Sequence, residues 1–211
     1  MVYSVKEIYY TLQGEGNHTG RPAVFCRFAG CNLWSGHEKD RADAVCQFCD
    51  TDFVGTNGVS GGKFSNPESL AKKAFEKWPS TNKGRPYLVC TGGEPLLQLD
   101  EVLIREFKDY GFTIAVETNG SLPAPKGLDW LCVSPKANFP LKIKSGDELK
   151  LIYPQEGVNP RLFEHLDFTH FYLQPMDNSD LVKNTKKTIK YCLKNPIWRL
   201  SIQTHKVINI D

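Results

Sequence analysis

The sequence predicts an α/β chain folded as an open, incomplete β/α barrel of about six parallel strands. Three observations carry this. Apolar strand-like runs alternate with helix-like segments from residue 65 onward, which implies right-handed crossovers and a parallel sheet. At 211 residues the chain is shorter than the roughly 250 of a complete eightfold barrel. Polar groups recur just after the predicted strands, where parallel α/β folds carry their sites. No repeat, low-complexity segment or second domain is visible, so residues 1–211 read as one domain.

The elements follow in order. Met1 to Thr11 mixes Tyr, Val and Ile as a strand does, and Gln13-Gly14-Glu15-Gly16 reads as a hairpin turn. Ala23 to Phe28 is a strand on which Arg27 faces away from Cys26 and Phe28. Asn32 to Val45 is a polar loop, and Gly55 to Gly62, with four glycines, is a linker-like loop. Ser65-Asn66-Pro67-Glu68 starts a helix with a capping residue and Pro in its first turn. That helix runs to about Trp78, with Leu70, Ala74 and Phe75 on one face. Tyr87–Thr91, Phe112–Glu117, Trp130–Ser134, Leu149–Tyr153, Phe168–Gln174 and Trp198–Gln203 are predicted strands. Asp100–Tyr110 and Ser179–Leu193 are helices, and Arg161–Leu166 is a short one.

Composition narrows the function. A net charge of +2 carries no nucleic-acid footprint. Lys183, Lys186, Lys187 and Lys190 repeat at helical spacing and read as a solvated face. No leader or apolar run of spanning length is visible, which predicts a cytoplasmic protein without a membrane segment. Seven cysteines, an odd number, suit ligand and core roles better than disulfides.

Three of those cysteines stand out. Cys31 is followed after fourteen residues by Cys46, which forms a Cys-x-x-Cys pair with Cys49. Three thiolates closed by a tight pair suit a zinc knuckle or an iron–sulfur cluster equally. Zinc normally takes four ligands, and the nearby candidates for a fourth are His37 and Cys26. If Arg27 points at a site, Cys26 is instead a core thiol. The predicted strands end in further polar groups: Arg27, Thr91-Gly92-Gly93-Glu94-Pro95, Glu117-Thr118-Asn119-Gly120, Ser134-Pro135-Lys136, Gln174-Pro175-Met176-Asp177 and Gln203-Thr204-His205-Lys206. Any one alone reads as a strand terminus. Together they read as one site.

The cysteines with Thr91-Gly92-Gly93-Glu94-Pro95 resemble the radical S-adenosylmethionine (SAM) enzymes. The usual Cys-x-x-x-Cys-x-x-Cys is replaced by the long spacing. That departure, with Leu12-Gln13-Gly14-Glu15-Gly16 and Glu117-Thr118-Asn119-Gly120, resembles the 7-carboxy-7-deazaguanine synthases of the queuosine pathway. The match extends from about residue 9 to the terminus, through Leu173-Gln174-Pro175-Met176-Asp177 and Gln203-Thr204-His205-Lys206.

The resemblance implies a radical SAM-type fold and a lyase. Its substrate would be 6-carboxy-5,6,7,8-tetrahydropterin, and its products 7-carboxy-7-deazaguanine and ammonia. A reduced 4Fe-4S cluster held by Cys31, Cys46 and Cys49 would cleave S-adenosyl-L-methionine to methionine and a 5′-deoxyadenosyl radical. That radical would take hydrogen from substrate C6, and SAM would be regenerated after ring contraction. Phe48, Cys49, Asp50, Gly93, Ser134, Pro135, Lys136, Gln174, Pro175, Met176 and Asp177 would bind SAM, and Thr51 would hold Mg2+. Leu12, Gln13, Gly14, Glu15, Arg27, Thr91, Glu117, His205 and Asp211 would bind the pterin, Asp211 through its side chain or the terminal carboxylate. The resemblance also implies an electron donor such as flavodoxin or ferredoxin, and a homodimer. Two other readings are a glycyl-radical-type activating enzyme and a non-enzymatic zinc or iron–sulfur binding module.

Overall fold

The computed structural model of the chain describes residues 2–81 and 83–210, so Asp211 lies outside the described residues. Nine strands form one sheet: β1 (Tyr3–Leu12), β2 (Pro22–Phe28), β3 (Gly62–Phe64), β4 (Tyr87–Gly92), β5 (Thr113–Thr118), β6 (Trp130–Val133), β7 (Ser145–Tyr153), β8 (Asp167–Pro175) and β9 (Trp198–Leu200). Their order is β3-β1-β2-β4-β5-β6-β7-β8-β9. β1 is antiparallel to β2, and β3 is antiparallel to β1.

The parallel run has seven strands rather than about six. Successive parallel pairings join β2, β4, β5, β6, β7, β8 and β9. So many strands fit in a short chain because three crossovers carry no α-helix: residues 119–129, 134–144 and 154–166 contain only a 3-10 turn at Pro160–Phe163. That turn replaces the predicted short helix. The longer crossovers carry α1 (Pro67–Phe75), α2 (Glu101–Asp109) and α3 (Leu181–Lys194), and α4 (Thr204–Ile208) follows β9. α1 begins as its sequence dictates, with the Asn66 side chain accepting from Ser69 N at 2.8 Å and Pro67 in the first turn. It stops at Phe75, short of Trp78.

Alternation along the strands sorts side chains between two faces. Val24, Cys26 and Phe28 of β2, with Leu88, Cys90, Ile114 and Val116, meet Leu70, Ala74, Leu103 and Phe107 of α1 and α2 in one buried cluster. Val133, Leu149, Leu151, Phe171, Leu173 and Trp198 form a second cluster, against which Tyr191 and Cys192 of α3 pack. Cys26 is thus a core thiol, its pKa pushed up by burial. The opposite face buries only a small cluster, Ala23, Phe25, Tyr87, Val89 and Ala115. The polar residues of the inward phase are left for other work.

The sheet is curled, and its concave face is crossed by the turn after β1. Asn17 N donates to Glu148 of β7 at 3.0 Å, Tyr172 of β8 donates to Asn17 at 3.2 Å, and Gly16 N donates to Ser201, just past β9, at 2.9 Å. Among the described residues no helix is long and apolar enough to cross a membrane.

Candidate active site

The carboxyl ends of the parallel strands and the cysteine loop open into one cavity of about 410 Å³. On its cysteine side, Cys46 and Cys49 line the wall with Phe48, Asp50 and Thr51. All seven cysteines are free thiols. The Cys46 thiol donating to Cys49 lowers the Cys49 pKa to about 6 against the effect of burial, helped by the Thr51 N–H and Lys136. Cys46 is raised by that same bond and by burial. Cys31 is half-buried and stands behind the wall, packed beside Gly93. A Cβ on Gly93 would lie 2.2 Å from the Gly30 carbonyl oxygen and 2.8 Å from Cys31 Cβ, so only glycine lets the β4 end close on the start of the cysteine loop.

Two ion-pair systems fix this loop. Lys206 of α4 bridges Asp50 (2.6 Å) and Asp177 (2.5 Å), and Gln203 donates to Asp50 at 3.2 Å. Lys6 of β1 holds Asp52 at 2.8 Å and Val54 O at 2.9 Å. Lys136 donates to Ser134 Oγ (2.6 Å) and lies 5.9 Å over the Phe48 ring. Gln174 is buried and accepts from Ser201 Oγ at 2.9 Å, while Pro175 and Met176 line the wall beside it. Pro135 is buried outside the lining.

The other side is built by inward-facing strand residues. Arg27 donates Nε to Glu7 at 2.8 Å and a terminal nitrogen to the Tyr9 hydroxyl at 3.0 Å, so part of its donor fork is already engaged. Gln13 Nε2 donates to Glu117 at 3.0 Å. Lys150, whose side chain is 5% exposed, donates to Glu15 at 2.6 Å and lies 3.5 Å from Glu117. Burial opposes ionisation of Glu15, but the Lys150 ammonium and His205 hold its pKa below the usual carboxylate value. Thr91 and Leu12 complete the lining, and His205 lies over Gly14.

Sequence reasoning missed Glu7, Tyr9, Lys6, Glu148 and Lys150. It looked for polar groups at strand ends, and these lie within strands. The usable signal was phase: Glu148, Lys150 and Ile152 alternate with Leu149 and Leu151, which pack in the core. It also read Gln203 to Lys206 as a strand end, where the structure has α4 and its leading residue.

Among the described residues no three His, Cys, Asp or Glu side chains converge on a single metal position. Cys31, Cys46 and Cys49 are all free thiols, the donor type that holds iron–sulfur clusters. His37 is exposed and points to no such group.

The chain is similar over its whole length to several curated proteins. It is 58% identical over 210 residues to the 7-carboxy-7-deazaguanine synthase of Caulobacter vibrioides, covering all of both chains. It is 57% identical over 210 residues to that of Bordetella pertussis and 51% over 215 residues to that of Nitratidesulfovibrio vulgaris, again covering all of each chain. Among solved structures it is similar to QueE from Escherichia coli, with a TM-score of 0.68 and 28% identity, covering 97% of this chain and 95% of that one. No protein-family model matches the chain.

Proposed function

The chain belongs to the 7-carboxy-7-deazaguanine synthases, and from that premise we propose that its cavity converts 6-carboxy-5,6,7,8-tetrahydropterin to 7-carboxy-7-deazaguanine and ammonia. The protein is an enzyme, a lyase of 7-deazapurine biosynthesis. The curled sheet is then the incomplete barrel of a radical SAM enzyme. One observation carries the reading: the thiols of Cys46 and Cys49, the Gly92-Gly93 strand end with Cys31 packed behind it, and a charged inward face meet at one cavity.

Cys31, Cys46 and Cys49 would hold a 4Fe-4S cluster, with Phe48, Asp50, Gly93, Ser134, Lys136, Gln174 and Met176 around SAM. When bound, cluster and SAM supply the one-electron chemistry that activates the substrate. The Thr51 hydroxyl would contribute to an Mg2+ site, since that hard ion prefers oxygen ligands and keeps several waters.

The remaining work belongs to the inward face. The substrate is anionic at its carboxylate and donor-rich at its amine and amide edge. Arg27, held by Glu7 and Tyr9, presents its remaining donors to the carboxylate. Gln13, Glu15 and Glu117 accept from the ring edge. His205, beside Glu15, is placed to move a proton as ammonia leaves. An external flavodoxin or ferredoxin as electron donor, a homodimer and a cytoplasmic setting complete the proposal.

The test is anaerobic reconstitution with iron counting, followed by SAM, reductant, Mg2+ and the tetrahydropterin. Formation of 7-carboxy-7-deazaguanine is expected. SAM cleavage without pterin turnover would revive the activating-enzyme reading. Bound zinc with neither activity would revive the binding module.

A further inference from the structure

Lys150 sits where a cation has no obvious reason to be. It lies mid-strand on β7, opposite Tyr172 of β8, and its side chain is 5% exposed, whereas Glu15 and Glu117 keep 16% and 23% open. All three line the cavity. The ammonium therefore stands behind two carboxylates that face the ligand. Gln13 ties the pair further, donating Nε2 to Glu117 and accepting from Glu15 N at 3.1 Å. The groups facing this trio are Tyr9 of β1, Tyr87 of β4, Cys132 of β6, Glu148 of β7 and His205 of α4. Glu148 is satisfied on its own side, accepting from Asn17 N at 3.0 Å and lying 3.5 Å from Cys132 Sγ.

Two carboxylates side by side in a dry pocket repel, and each tends to take up a proton. A protonated carboxyl offers a donor where the ligand needs an acceptor. One ammonium against two carboxylates cancels most of the repulsion and leaves one excess negative charge toward the cavity. Arg27, at the other end of this face, supplies the opposite sign.

We propose that Lys150 is a positioning residue for the pterin: its buried ammonium keeps Glu15 and Glu117 together as a paired acceptor for the ligand's donor edge. It thereby sets which way round the ligand lies between that pair and Arg27. This rests on the reading of the cavity as the pterin site.

The experiment compares holoenzyme variants Lys150→Met, Lys150→Gln and Lys150→Arg with the natural protein. KM and kcat for 6-carboxy-5,6,7,8-tetrahydropterin are measured from about pH 6 to 8.5, a range in which a carboxyl stripped of its cation can titrate. Iron content and SAM binding are measured in parallel and should not change. KM in Lys150→Met should rise about tenfold or more at neutral pH, the scale of a lost charged hydrogen bond, with kcat changing less. The deficit should shrink as pH rises, because the unpartnered carboxyls regain their charge. Lys150→Arg should recover most of the affinity. Should Lys150→Met fail to fold, Lys150→Gln, which retains a donor for Glu15 without the charge, carries the same comparison. A KM within twofold of the natural protein, or a deficit equal at every pH, overturns the proposal. Natural protein that binds cluster and SAM but ignores the pterin overturns the functional reading instead.

Discussion

Glu94 shows how one side chain holds two strand ends in place. It is 0% exposed, and its carboxylate accepts from Leu96 N (2.9 Å), Thr118 Oγ1 (2.7 Å) and Asn119 N (2.8 Å). Burial raises its pKa, and those three bonds partly offset that. Glu94→Ala should therefore cost about 2–4 kcal/mol in denaturant titration, since it strands buried donors. Glu94→Gln, with one acceptor oxygen left, should recover part of the loss. A loss below about 1 kcal/mol would mean that water replaces the carboxylate. His18 is a second local case. Its Nδ1 is 2.7 Å from the Tyr87 hydroxyl, its ring packs 4.2 Å from that of Trp130, and burial together with Arg21 lowers its pKa. A depressed histidine pKa gives stability above the unfolded value of about 6.5, which is lost as pH falls through the folded value. The natural protein should thus lose thermal stability below about pH 6.5 more steeply than His18→Gln. Parallel melting curves would assign the acid sensitivity to other groups.

At the scale of elements, α4 is held by charge rather than by burial. None of its residues is buried, yet Lys206 ties it to both Asp50 and Asp177. Exposed pairs of this kind are worth at most about 1 kcal/mol each. Lys206→Ala should leave global stability within that range while speeding amide exchange in residues 204–208 and 48–52. Unchanged exchange in both segments would show that the backbone bond from Thr204 N to Gly14 O (2.9 Å) holds α4 alone. This helix also marks where the sequence became hard to read. Core strands were legible because apolar residues alternate in them, and the cysteine loop because its spacing is unusual. β3 was not legible as a strand: the predicted glycine loop ends at Gly62, and Lys63 and Phe64 have no predicted element, since three residues carry no period and the pairing with Tyr3, Ser4 and Val5 is long-range. α4 has five residues, too few for an apolar stripe, and its anchors come from distant loops. Lys150 was hidden for a different reason: a charge inside a parallel strand becomes meaningful only once its phase relative to Leu149 and Leu151 is known.

Across the whole molecule, the curled sheet is bridged by a turn rather than by a strand pair. β1 runs antiparallel to β2, so its carboxyl end lies at the start of the parallel strands. The chain then folds inward and crosses the concave face, where Gln13 and Glu15 reach Glu117 and Lys150 and Gly14 accepts from Thr204 N. The ligand face thus depends on how closely this turn approaches α4. Gly14 sets that distance. A Cβ there would lie 2.1 Å from His205 Nδ1 and 2.9 Å from His205 Cβ, so rotating the ring alone would not clear it. Gly14→Ala must shift α4 or the turn, at a cost of about 1–3 kcal/mol by analogy with overpacked sites. The strands and the Glu94 bonds lie outside this contact and should be unaffected, whereas the cysteine loop is tied to α4 through Lys206 and Gln203 at Asp50. Iron content should therefore stay near that of the natural protein, while KM for the tetrahydropterin rises and residues 204–208 exchange faster. A variant with normal KM and normal exchange would show that the turn and α4 can separate without consequence, and the cavity would then have to be defined by the strands alone.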